Sequence, residues 1–218
     1  MTSKKKSCLD WRLYVITEPP APGGRDLAET VRLALEGGAS VIQLRDKAAS
    51  DEELTRLAKR LLALTRPKGV PLIVNDRSEV ARRAGADGLH LGQEDGPLNE
   101  ARRFLGEDSI LGRSTHTREQ ALLAMKEGAD YIGVGPVFKT PTKAAVAPVG
   151  LDLVTFAAAK LRIPFVAIGG IEPANVVQVR DAGAKAVAVL RAVMRASDPK
   201  RAVEELLWIM RRPKKYAN

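Results

Sequence analysis

Gln43, Arg45 and Lys47 stand at alternate positions in the stretch VIQLRDK, so in an extended segment they project on one side. An arginine fork and a lysine point charge on a common face suit a diphosphate; a solvated strand end would look the same. Further on, LIVND ends in Asn75 and Asp76, and HLGQED contributes Gln93, Glu94 and Asp95. A carboxylate pair with no cysteine nearby and little histidine favours a hard, oxygen-seeking cation. Mg2+ is the natural candidate, since it takes one or two carboxylates and fills its shell with water and phosphate oxygens. An ion pair with Arg77 or a turn cap is the alternative use of these aspartates. FKTPTK then places the hydroxyls of Thr140 and Thr142 and the cations Lys139 and Lys143 around Pro141. In VAIGGI, Gly169 and Gly170 would let backbone N–H groups approach a phosphate, or would simply form a tight turn.

These residues must be brought together by regular elements, and the chain supplies them. Short β-rich runs alternate with amphipathic stretches from Arg12 onward: RLYVIT, SVIQLR, VPLIVND, GLHLG, SILGRST, YIGVG, PFVAIGG and AVAVLRA each precede a helical pattern. Ser50 followed by acidic residues predicts a capped helix start. The phrases EGGA, RAGA, EGAD and DAGA predict helix stops on glycine, the first of them at Gly37. Eight strand-plus-helix units in one chain of 218 residues predict a single closed (β/α)8 barrel. A doubly wound open sheet is the other option, but no GxGxxG follows the first strand. The expected organisation is a basic N-terminal tail over residues 1–10, a barrel over 11–212 and a short tail over 213–218.

In such a barrel the chemistry belongs to the C-terminal strand ends. All the residues above fall there, together with Ser114 and His116 after the fifth strand and Arg191 after the eighth. His90 lies inside a strand, where a structural role is the simpler reading. The rim so composed suits a charged, polyoxygenated ligand: two phosphate sites and a magnesium ion. That implies transfer between two phosphorylated molecules, or isomerisation of one.

Composition narrows the class. The chain is 45% hydrophobic and 28% charged, ordinary for a globular protein. No apolar run is long enough to span a membrane, and the basic N-terminus lacks the apolar core of a secretion signal. Cys8 is the only cysteine, which excludes an internal disulfide and points to a reducing, cytoplasmic setting. The net charge of +9 could serve nucleic acid, but only 4% of residues are aromatic and the cations are scattered except at the termini. Small phosphorylated molecules are the expected partners, with neither nucleic acid nor membrane; a homodimer stays open.

The set VIQLRDK, LIVND, GLHLGQED, GRSTHT, YIGVGPVFKTPTK, PVGLD and VAIGGI, in this order, resembles the thiamine phosphate synthase family from Leu13 to about Met210. The resemblance implies joining of an aminopyrimidine diphosphate to a thiazole phosphate, with release of pyrophosphate. By position it implies that Gln43, Leu44, Arg45, Asp46, Lys47, Asn75, Ser114 and Lys143 contact the pyrimidine diphosphate. Asp76 and Asp95 fall on the magnesium ligands, one Mg2+ per site. Thr140, Pro141, Thr142, Gly170, Leu190 and Arg191 fall on the thiazole phosphate site, and Lys47, Lys143 and Ser114 on the catalytic set. One position departs: the family pattern has serine where this chain has Arg191. A related thiazole tautomerase would lack the full diphosphate and magnesium set. A phosphosugar isomerase or aldolase would need a base or lysine within a strand, and the lysines here lie in loops.

Overall fold

The computed structural model describes residues 11–19, 24–141 and 146–212. Eight parallel strands form a closed barrel in sequence order. They are β1 (Leu13–Ile16), β2 (Val41–Leu44), β3 (Leu72–Asn75), β4 (Gly88–Leu91), β5 (Ile110–Thr115), β6 (Tyr131–Val134), β7 (Phe165–Ile168) and β8 (Val187–Val189). β1 pairs with both β2 and β8, which closes the sheet. The predicted fold is the observed one.

The helices are α1 (Leu27–Glu36), α2 (Asp51–Thr65), α3 (Ser78–Ala84), α4 (Leu98–Leu105), α5 (Arg118–Lys126), α6 (Gly150–Lys160), α7 (Val176–Asp181), α8 (Arg191–Met194) and α9 (Pro199–Arg211). The short α8 lies between β8 and α9 and has no counterpart in the sequence reading. None of the described helices is long and apolar enough to cross a membrane.

Local signals act as their chemistry demands. Ser50 and Glu53 form a reciprocal capping box at the start of α2. Gly85, Gly128 and Gly183 take positive φ at helix ends. At EGGA the left-handed residue is Gly38, not Gly37. Gly37 answers a different need: a Cβ there would stand 2.5 Å from the carbonyl oxygen of Lys200 and 2.8 Å from Cβ of Val203, so α1 and α9 could not approach as they do.

Two apolar layers result. The larger lies between sheet and helices and includes Leu13, Val31, Leu44, Leu61, Leu89 and Leu206. The smaller fills the barrel lumen with Trp11, Tyr14, Ile73, Ile110, Tyr131 and Val166. Burial on both faces is why the strands read as nearly continuous apolar runs.

Candidate active site

The pocket opens at the C-terminal ends of the strands, and its floor is a chain of neutral polar groups. The Gln43 amide donates to the Tyr14 hydroxyl at 2.8 Å. Tyr14 and Tyr131 share a hydrogen bond of 2.9 Å between their hydroxyls. Tyr131 bonds to Nδ1 of His90 at 2.9 Å, and Nε2 of His90 bonds to Ser114 Oγ at 2.9 Å. Five side chains from β1, β2, β4, β5 and β6 are thereby joined across the lumen. Burial pushes both phenols up, so they stay protonated.

Register makes room for this chain. His90, Gly112 and Tyr131 lie in one row of the sheet. A Cβ on Gly112 would overlap the Tyr131 ring and stand 2.5 Å from Nδ1 of His90. The bare glycine therefore lets its two neighbours meet over it. His90 is buried in this chain and also lines the pocket.

The rim is charged. Asp76 is the only non-glycine residue with positive φ (63°) among the described residues. Its N–H donates to the His90 carbonyl at 2.9 Å. A left-handed aspartate at a strand end is a local cost that the chain keeps where a side chain must be aimed. Asp76 meets Asp95. Burial first, then the facing Asp95 carboxyl, raises the Asp76 pKa to about 6; Lys47 and Arg45 pull in the other direction. Arg77 does not neutralise this pair: it binds Asp51 at 2.8 Å and the Ala49 carbonyl at 2.7 Å. One oxygen of Asp95 does serve as a turn cap, accepting from the Gly92 N–H at 2.6 Å.

The donor set fits a divalent cation. Two facing carboxyls, one of them with its pKa raised first by burial and then by the other, are relieved when a cation lies between them. Among the described residues no group of three or more His, Cys, Asp or Glu comes together. A cation here would therefore use two protein carboxylates and take its remaining ligands from water and substrate, the habit of Mg2+.

The other expected residues divide. Arg45, Asn75, Thr140, Gly170, Leu190 and Arg191 line the pocket with the floor residues. The Leu44 side chain packs in the layer under the helices, which leaves only its backbone near the rim. Asp46 accepts from the N–H groups of Ala48 and Ala49 and so shapes the loop that carries Lys47. Pro141 and Lys139 are exposed. Thr142 and Lys143 lie outside the described residues.

Gly169 and Gly170 both have positive φ, and the loop after β6 packs on them through Phe138 N–H to the Gly169 carbonyl at 3.0 Å. A Cβ at Gly170 would stand 2.7 Å from the Lys139 carbonyl oxygen. His116 bonds through Nδ1 to the Gly135 carbonyl and lines the pocket. Tyr14, Tyr131 and Glu172 also line it and were not singled out from the sequence. For the two tyrosines the missing knowledge was which strand face is the lumen.

Comparison with known proteins gives the family. The family described as thiamine monophosphate synthase matches residues 13–193. Thiamine-phosphate synthase from Chloroflexus aurantiacus is 47% identical over 199 residues, 91% of this chain and 92% of the relative. The protein of that name from Shouchella clausii is 47% identical over 201 residues, 92% of this chain and 96% of the relative. Among solved structures, thiamine phosphate pyrophosphorylase from Pyrococcus furiosus superposes with a TM-score of 0.83 at 42% identity, covering 92% of this chain and 96% of that one.

Proposed function

This chain belongs to the thiamine monophosphate synthase family, and from that premise we propose that it joins an aminopyrimidinylmethyl diphosphate to a thiazole phosphate, releasing pyrophosphate and leaving thiamine phosphate. It is a transferase of the thiamine-phosphate synthase type. The observation that carries the finer reading is a pocket with a neutral polar floor, lined above by Arg45 and Arg191, at a strand-end rim that also carries the Asp76–Asp95 pair. A heteroaromatic ring bearing an amine suits the floor, and a diphosphate suits the rim.

On the floor, let the Gln43 amide donate and let each hydroxyl between it and Ser114 donate once and accept once. The chain then runs Gln43 to Tyr14 to Tyr131 to His90 to Ser114, and the Ser114 proton is left to donate into the pocket. At the rim, Arg45, Lys47 and Asn75 face the diphosphate, with Lys143 assigned there by sequence alone. Mg2+ held by Asp76 and Asp95 would add charge neutralisation for the departing diphosphate.

As the C–O bond breaks, the electron-rich aminopyrimidine carries the positive charge at its methylene carbon. The thiazole nitrogen then supplies its lone pair to that carbon. Thr140 and the N–H groups around Gly170, together with Leu190 and Arg191, hold the thiazole phosphate; Thr142 joins them by sequence. No protein base or covalent nucleophile enters. The protein's work is positioning and electrostatic stabilisation.

The direct test combines the protein with both substrates, with Mg2+ and with EDTA, and detects thiamine phosphate by oxidation to fluorescent thiochrome. Product that requires Mg2+ is expected. Absence of product in the presence of Mg2+ overturns the reading.

A further inference from the structure

β5 contains a buried cation that the reaction above leaves unused. Arg113 is only 5% exposed. Its lumen-facing neighbours Gly112 and Ser114 place it on the helix side of the sheet, where it lines a cleft with Gln120 of α5 and Glu127 just after that helix. Its guanidinium donates to the Gly92 carbonyl through one nitrogen and to the Gly96 carbonyl at 2.6 Å through the other. No carboxylate among the described residues forms an ion pair with it. A guanidinium out of water is costly unless its donors find partners, and here two backbone oxygens take one donor from each terminal nitrogen.

Those two oxygens bracket the turn Gln93–Asp95. Inside the turn, the Asp95 carboxylate accepts from Gly92 N–H, and the Gln93 amide donates to the Ser114 carbonyl. Arg113 therefore ties both ends of the segment that delivers Asp95 to the rim. A planar fork does this from two nitrogens held at a fixed separation; a lysine would offer its three donors from a single, freely rotating nitrogen. On its outer side the turn borders a cleft lined by Gln93, Gly96, Pro97, Arg113 and residues of α5, so little else packs behind it.

We propose that Arg113 is a positioning residue that sets Asp95 for a divalent cation opposite Asp76. This rests on the metal reading given above. It makes the grip of Arg113 on the turn, rather than Asp95 alone, a determinant of metal affinity.

The test compares the unmodified chain with Arg113→Met and Arg113→Lys. Mn2+ is the probe, its binding followed by electron paramagnetic resonance, alongside the Mg2+ concentration that half-activates the enzyme. Losing such a supporting contact should weaken Mn2+ binding by about 10- to 100-fold in Arg113→Met and by less in Arg113→Lys. The half-activating Mg2+ concentration should rise in parallel, kcat should return toward normal at saturating Mg2+, and KM for the thiazole substrate should not move. Unchanged Mn2+ affinity in both variants overturns the proposal, as does a loss of kcat that Mg2+ does not restore. Should Arg113→Met fail to fold, Arg113→Lys decides alone. A wild-type chain that binds no Mn2+ and works equally well in EDTA overturns the metal reading itself, and the role of Arg113 with it.

Discussion

The hydroxyls of Tyr14 and Tyr131 meet at 2.9 Å although the residues are 117 positions apart in the chain. Trp11 packs edge-on against Tyr131 with ring centroids 4.7 Å apart. The contact links the first strand to the sixth across the lumen and makes the pocket floor a single hydrogen-bonded unit. A buried polar chain of this kind is rigid when every member is satisfied, and costly when one is lost.

Tyr131→Phe removes the central hydroxyl and leaves Tyr14 and Nδ1 of His90 short of a partner. We expect a loss of about 1–3 kcal/mol in unfolding free energy, measured by urea denaturation, with kcat/KM reduced as well. A variant as stable as the wild type would show that the floor does not act as a unit.

Two lumen glycines should respond in opposite ways. Gly112→Ala forces a methyl group into the Tyr131 ring and against His90. It should destabilise the barrel by about 1–3 kcal/mol or more. At Gly133 the nearest atom to such a methyl is Cε1 of His90, at the ordinary distance of 3.5 Å. Gly133→Ala should therefore fold normally, narrow the pocket and raise KM. Equal melting temperatures for the two variants would contradict this.

If the aspartate pair holds Mg2+, as proposed, its binding should depend on pH. The Asp76 pKa lies above its ordinary value, at about 6 in the metal-free protein. Its protonation therefore favours the folded state. That contribution is complete below the ordinary value of 3.8 and is lost as pH rises through about 6. Cation binding replaces it where the carboxyl is ionised. Mg2+ should raise the melting temperature at about pH 7.5 and do little at about pH 5. A Mg2+ shift of equal size at both values would rule out Asp76 as a ligand.

Removal of the charged groups themselves should be severe. Asp76→Ala, and Lys143→Ala in the segment placed by sequence alone, should each lower turnover by about two orders of magnitude or more. Steady-state thiochrome assays at saturating substrate measure this, and rates near wild type in either variant would remove that residue from the catalytic set.

Arg191 stands where the family pattern has serine, and it lines the pocket. A charge-assisted bond to the thiazole phosphate is worth about 1.5–3 kcal/mol. Arg191→Ser should accordingly raise KM for the thiazole phosphate at least about tenfold and leave KM for the pyrimidine diphosphate unchanged. Equal effects on both constants would place the arginine outside the phosphate contact.

The sequence by itself determined the number and order of the strand–helix units, the capped start of α2 and which loops carry polar chemistry. These follow from period, caps and turn residues, and all of them act within a few positions along the chain. It also supplied most of the rim, because a barrel places every strand end on one edge. The alternation of Gln43 and Arg45 was legible for the same reason.

Only the tertiary structure decided which face of each strand looks inward. Parallel barrel strands are apolar on both sides, so a two-residue period does not distinguish lumen from helix layer. Nothing local in the sequence therefore separates Tyr14, Tyr131 or Arg113 from ordinary strand residues. Gly37 and Gly38 exchanged roles because close packing against α9, which no local signal records, governs the first. The pairing of Asp76 with Asp95 was one of two readings that the sequence offered, and nothing local decided between it and an ion pair with the adjacent Arg77. The pairing depends on a left-handed backbone at Asp76 and on Arg77 finding Asp51 at the start of α2, and contacts between separate strand–helix units settle both.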